Sequence, residues 1–177
     1  DHNRIRIFNL AQTLGEQSRV GEAIIAYRHI IQINPEYYKA FFELGILYQK
    51  DSAFEAALDC YEQCLEIKKD HIEALSNIGQ VWQALGDTAA AQTALHKALK
   101  LNSKFIPAIV NLAVIYRDLG QLDEAISLLK DAEKVSPDNE HIHFYLAVIL
   151  QVKCKLQSSI EAYKKVLELN PQHDGAK

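Results

Sequence analysis

The chain has 177 residues, 49% of them hydrophobic and 24% charged, with a formal net charge of −4 and only 7 glycines and 4 prolines. Its apolar residues are spread evenly, so no run approaches the ~18 to 20 residues that a bilayer span needs and no stretch reads as a secretory leader. Lysine and arginine form no stripe that would track phosphates, so neither a membrane nor nucleic acid is expected as a partner. Cys60, Cys64 and Cys154 are odd in number, which predicts reduced thiols and a cytoplasmic or nuclear compartment. Methionine is absent and the chain opens at Asp1, directly on the run leading into a repeated segment. An excised fragment of a longer protein, continuing on both sides, is therefore expected.

Segments beginning at Arg4, Tyr38, Ile72, Ile106 and Glu140 place the same residue types at the same offsets, a period of 34 residues. In the first, residues 4–37, Ile7, Leu10, Ala11 and Leu14 stand at the fourth, seventh, eighth and eleventh places, which is one helical face. Ala23, Tyr27 and Ile30 then mark a second helix, and Pro35 stops it. Residues 38–71 repeat this with Phe41, Leu44, Gly45 and Tyr48, then Ala57, Tyr61 and Cys64, although Lys69 replaces the proline. Residues 72–105 carry Leu75, Ile78, Gly79 and Trp82, then Ala91, Leu95 and Ala98, with Ser103 at the proline place.

Residues 106–139 carry Ile109, Leu112, Ala113 and Tyr116, then Ala125, Leu129, Ala132 and Pro137. Residues 140–173 carry His143, Leu146, Ala147 and Leu150, then Ser159, Tyr163, Val166 and Pro171, and residues 174–177 begin a further repeat or a cap. Two departures stand out: His143 replaces an apolar residue at the fourth place, and Glu133 sits where the other segments have Ile31, Leu65, Leu99 and Leu167. Gly15, Gly86 and Gly120 are expected at the turns, closing each first helix with a left-handed residue.

These residues resemble the tetratricopeptide repeat over residues 4–173. The resemblance implies an all-α, right-handed superhelical solenoid of five helix-turn-helix repeats, with a concave groove lined mainly by the first helix of each repeat. On that reading the groove carries Ile5, Phe8, Asn9 and Gln12 from the first repeat, and Lys39, Phe42, Glu43, Ile46, Gln49 and Lys50 from the second. Glu73, Ser76, Asn77, Gln80 and Gln83 follow, then Val110, Asn111, Val114, Arg117 and Asp118, then His141, Phe144, Tyr145, Val148 and Gln151.

Asn9, Asn77 and Asn111 share the sixth place, where asparagine has no helical advantage. Each amide offers a donor and an acceptor that suit an extended peptide backbone, and equally suit a solvated polar face. The pattern resembles the asparagine ladder of the tetratricopeptide superhelix in O-linked N-acetylglucosamine transferases, with Glu43 and Tyr145 as gaps. Phe8, Phe42, Ile46, Val110, Val114, Phe144, Tyr145 and Val148 serve as ligand anchors where exposed, and as packing between first helices where not.

Family members that clamp a C-terminal carboxylate use lysine, arginine and asparagine at defined places. Here the first three repeats supply Phe8, Gln12, Glu43, Glu73 and Asn77, with two acids facing the would-be carboxylate, so clamping is not expected. Cys60 and Cys64, one turn apart, lack further ligands at metal spacing, and His141 and His143 point apart, so no metal and no cofactor is expected. No phosphate loop or nucleophile elbow appears, and Glu55, Asp59, Glu62 and Glu66 read as one solvated helix face.

The expected function is a non-catalytic module binding a partner's peptide segment in the groove, through Asn9, Gln12, Phe42, Glu43, Ile46, Asn77, Gln80, Asn111, Val114, Arg117 and Tyr145. Two alternatives fit the same sequence. One is the substrate-recruiting arm of a larger enzyme such as a glycosyltransferase; the other is a scaffold self-associating end to end through uncapped faces.

Overall fold

The computed structural model describes residues 2–177, and His2 and Asn3 through their backbone alone. Among the described residues there are ten α-helices and no strand. The chain forms two compact units, Asp1–Asp87 and Thr88–Lys177. The first holds α1 (His2–Glu16), α2 (Val20–Ile33), α3 (Tyr38–Lys50), α4 (Phe54–Ile67) and α5 (Ile72–Ala84). The second holds α6 (Thr88–Leu101), α7 (Ile106–Asp118), α8 (Leu122–Val135), α9 (Glu140–Val152), α10 (Leu156–Leu169) and a short 3-10 helix, η1 (Asp174–Ala176).

One turn chemistry closes every first helix. The residue at the fifteenth place of each segment is left-handed: Ser18 (φ 61°), Ser52 (φ 59°), Gly86 (φ 85°), Gly120 (φ 76°) and Cys154 (φ 56°). The next amide then reaches back five residues, as from Arg19 to the Leu14 carbonyl at 2.9 Å and from Gln121 to that of Tyr116 at 2.8 Å. This Schellman arrangement satisfies carbonyls the helix end would otherwise strand. Gly86 and Gly120 hold the expected places, but Gly15 lies inside α1 and Ser18 takes the left-handed position. Glycine costs nothing there, whereas each side-chain-bearing residue costs on the order of 1 kcal/mol.

Three of the second helices end by another local device. Asn34, Asn102 and Asn170 each turn their Oδ1 onto the amide two residues on, at 2.9 to 3.1 Å, which stops the helix before the next segment. In the first unit the core gathers Ala11, Leu14, Ala23, Tyr27, Ile30, Ala40, Leu44 and Leu47. In the second it gathers Ile109, Val110, Ala113, Ala125, Leu129, Ile142, Leu146 and Ile149. Within the first unit, small residues at the eighth and twentieth places, Ala11 with Ala23 and Gly45 with Ala57, bring paired helices close. A Cβ added to Gly45 would stand 2.6 Å from the Tyr61 ring.

Candidate functional site

In the first unit, α1, α3 and the start of α5 frame a cavity of about 420 Å³ lined by Phe8, Gln12, Tyr38, Lys39, Phe42, Glu43, Lys68, His71 and Glu73. Six residues expected in the groove, Phe8, Gln12, Lys39, Phe42, Glu43 and Glu73, thus meet in one place, and Gln12, Phe42 and Glu43 are among the expected peptide contacts. Its walls are aromatic. Phe8 sits edge-on to Tyr27 and Tyr37, at 5.7 and 5.6 Å between centroids. Phe42 leans on the His71 ring at 4.6 Å, and Tyr38 meets that ring edge-on at 5.4 Å.

His71 is not discernible in the sequence as a groove residue, because it stands just before α5 rather than on it. Its Nδ1 accepts from the Ala74 amide at 3.2 Å as the helix cap and lies 3.3 Å from Glu73 Oε2. Burial pushes the imidazole below its ordinary range, against the raising effect of Glu73. Glu43 is half-buried, and burial raises its carboxyl while the amide donated by Gln12 Nε2 at 3.3 Å and the charge of Lys50 oppose the shift.

Beside the cavity runs a chain of hydrogen bonds. Asn77 Nδ2 donates to the Tyr61 hydroxyl at 3.2 Å, Tyr61 donates to Gln49 Oε1 at 2.7 Å, and Gln49 Nε2 donates to Gln80 Oε1 at 3.1 Å. Gln12 to Glu43 and Gln49 to Gln80 both join residues 31 apart, tying one first helix to the next. Asn77 is therefore engaged within the protein, while Asn9 is exposed and Ile46 half-buried.

In the second unit Asn111, Val114, Arg117 and Tyr145 are all half-buried. Arg117 donates to Asp118 Oδ1 through Nε and Nη2, and Tyr145 stands edge-on to Phe144 at 5.4 Å. Phe144 also stacks at 4.7 Å on His173, and Gly175 of η1 lies against it. Val110 is only 7% exposed and belongs to the core, since the neighbouring helices close over it.

A larger cavity of about 600 Å³ lies elsewhere in this unit, where α8, α9 and α10 bring together Ile126, Lys130, Glu133, His143, Leu150 and Lys165. The two residues that break the repeat pattern are partners there. His143, 4% exposed, turns Nδ1 to Glu133 Oε1 at 3.3 Å and Nε2 to the Pro137 carbonyl at 2.5 Å. Where the earlier junctions have apolar residues at both places, this one has a polar pair. Cys60 and Cys64 are buried, and burial lifts their thiols to about 11 and about 12, far from the range of a reactive thiolate.

Among the described residues no helix is long and apolar enough to cross a membrane, and no three histidine, cysteine or acidic side chains gather as metal ligands would.

An all-α chain built from short helical hairpins with one recurring turn is a helical repeat protein. Models of the tetratricopeptide repeat match residues 7–37, 40–70, 83–149 and 146–173, and the chain belongs to that family. No protein of curated function matches the sequence. Solved structures of the same fold include TTC0263, a thermophilic tetratricopeptide protein of Thermus thermophilus, with TM-score 0.82 at 20% identity over 98% of this chain and 94% of that one. A tetratricopeptide protein of Parabacteroides merdae aligns with TM-score 0.85 at 21% identity over 98% and 68%. YrrB, described as having an unusual peptide-binding site, aligns with TM-score 0.67 at 20% identity over 96% and 88%.

Proposed function

We propose that the chain is a non-catalytic interaction module that binds an extended segment of a partner protein along its first helices, with the cavity of the first unit as the principal contact. The observation that carries this reading is that cavity itself, where half-buried Phe42, Gln12 and Glu43 stand with Phe8 and present both apolar surface and hydrogen-bonding groups. Concave sites that combine aromatic walls with a few placed polar groups are where ligands bind. The peptide-binding site ascribed to YrrB, on the same fold, supports the reading by analogy alone. Asn9, Ile46, Asn77 and Gln80 extend that surface within the first unit, and Asn111, Val114, Arg117 and Tyr145 are the proposed contacts of the second unit, taken by itself. In this reading the Asn77 amide, already hydrogen-bonded to Tyr61, positions the wall of the site.

Panning a random-peptide phage library against the wild type and a Phe42→Ala variant tests this, with thermal melts showing that both are folded. Enriched peptides should lose at least about tenfold in affinity on Phe42→Ala, a change of about 1.4 kcal/mol. The reading fails if the wild type enriches no peptide, or if the variant binds the same peptides equally well.

A further inference from the structure

Glu43 stands at the sixth place, where the first, third and fourth segments have asparagine, and it alone brings a carboxyl group to that place. It is half-buried, and its carboxylate receives a hydrogen bond from Gln12 to Oε1 at 3.3 Å, at the long end for a charged acceptor. Among the described residues neither lysine lining the cavity forms an ion pair with Glu43. Lys39, one turn earlier on α3, is at the rim, and the Lys68 ammonium lies over the Tyr38 ring at 5.0 Å. That contact also demonstrates that a ring of this cavity holds an ammonium group.

A half-buried carboxylate in a cavity with aromatic walls, met within the chain by the Gln12 amide and the more distant charge of Lys50 but held in no ion pair, is matched by a cation brought in by a ligand. An acidic ligand would meet both Glu43 and Glu73. Resting on the interaction-module reading above, we infer that the first-unit cavity takes a lysine or arginine side chain of the bound segment, with Glu43 as its counter-charge and the ring of Phe42 or Phe8 beside it. The partner segment is thus basic at one position. Glu43 reads that position, while the rest of the first-helix surface reads peptide.

Four immobilised nonapeptide pools test this, with arginine, lysine, norleucine or glutamate fixed at the centre and randomised flanks. They are probed with the wild type, Glu43→Gln and Glu43→Lys. The wild type should retain the arginine and lysine pools at least about tenfold over norleucine, with the margin shrinking as salt is raised. Glu43→Gln should bring that preference to within about twofold while still retaining peptides, and its melting temperature should equal or exceed the wild type's, because a half-buried charge is removed. Glu43→Lys should shift preference to the glutamate pool, which keeps the test sound if the glutamine variant loses stability.

Wild-type binding without a basic preference overturns this inference and leaves the module reading standing. Retention of no pool by the wild type overturns both. Loss of all peptide binding in a folded Glu43→Gln protein overturns the charge-reading role as well, because Glu43 would then be positioning the site.

Discussion

α1 and α3 carry the same motif, and the two helices have opposite relations to their surroundings. At the third, seventh and tenth places α3 holds Ala40, Leu44 and Leu47, exposed by 0%, 4% and 6%, because α2 packs over them. At the same places α1 holds Arg6, Leu10 and Thr13: Leu10 is 55% exposed, and the Thr13 hydroxyl bonds back to the Asn9 carbonyl in its own helix. A leucine at the seventh place is thus a core residue in one helix and a surface residue in the other. Burial in a repeat array is conferred by the neighbouring element, and the stabilising free energy lies in the interfaces between elements.

The sharpest way to break this comparison is to truncate the same place in both helices. Leu44→Ala should cost about 2–5 kcal/mol in denaturant unfolding, while Leu10→Ala should stay within about 0.5 kcal/mol. Equal losses would show that α1 is covered in solution. Next in size is Gly45→Ala, which drives a methyl group into the Tyr61 ring and should cost about 1–3 kcal/mol. The first segment tolerates Ala11 opposite Tyr27. The second needs glycine because Tyr61 comes close enough to bond Gln49 and Asn77, so this variant should also weaken peptide binding.

The polar pair at the fourth segment's junction with the fifth sharpens the comparison from another side. His143→Leu leaves the Glu133 carboxylate without its partner and should lose about 1–3 kcal/mol. Adding Glu133→Leu, which restores the residue type of the other segments, should recover that loss or exceed it, as measured by a double-mutant cycle. Smaller again is Ser52→Gly, which relieves a left-handed side-chain-bearing residue and should gain about 0.5–1 kcal/mol in thermal unfolding.

The smallest expected effect is a pH dependence. The folded imidazole of His71 lies below its ordinary value of 6.5, so its stabilising contribution is complete above that pH and is lost as pH falls through the depressed folded value. Stability profiles of the wild type and His71→Asn should diverge only on that acid side, since asparagine keeps the cap but does not titrate. Parallel profiles would exclude His71 as the titrating cap.

Much of the fold is legible in the sequence because helices and their ends are local. A small residue four places from a large one, a proline stop, and a 34-residue period specify the hairpins without reference to anything distant. Even the turns follow a place rather than a residue type. Gly15 stands out as a glycine, but backbone geometry at the fifteenth place selects Ser18 instead.

The site was only half legible. The sequence by itself determined the helical places of Gln12, Phe42 and Glu43, which the family resemblance assigns to the groove. Only the tertiary structure decided that His71 completes the cavity, that Asn77 is engaged by Tyr61, that Val110 is core, and that Glu133 and His143 answer one another. The reason is physical: a period fixes the angular position of a side chain on its own helix. Whether that side chain meets water, a ring or a carboxylate is set by helices far away in sequence, through packing distances of a few ångströms.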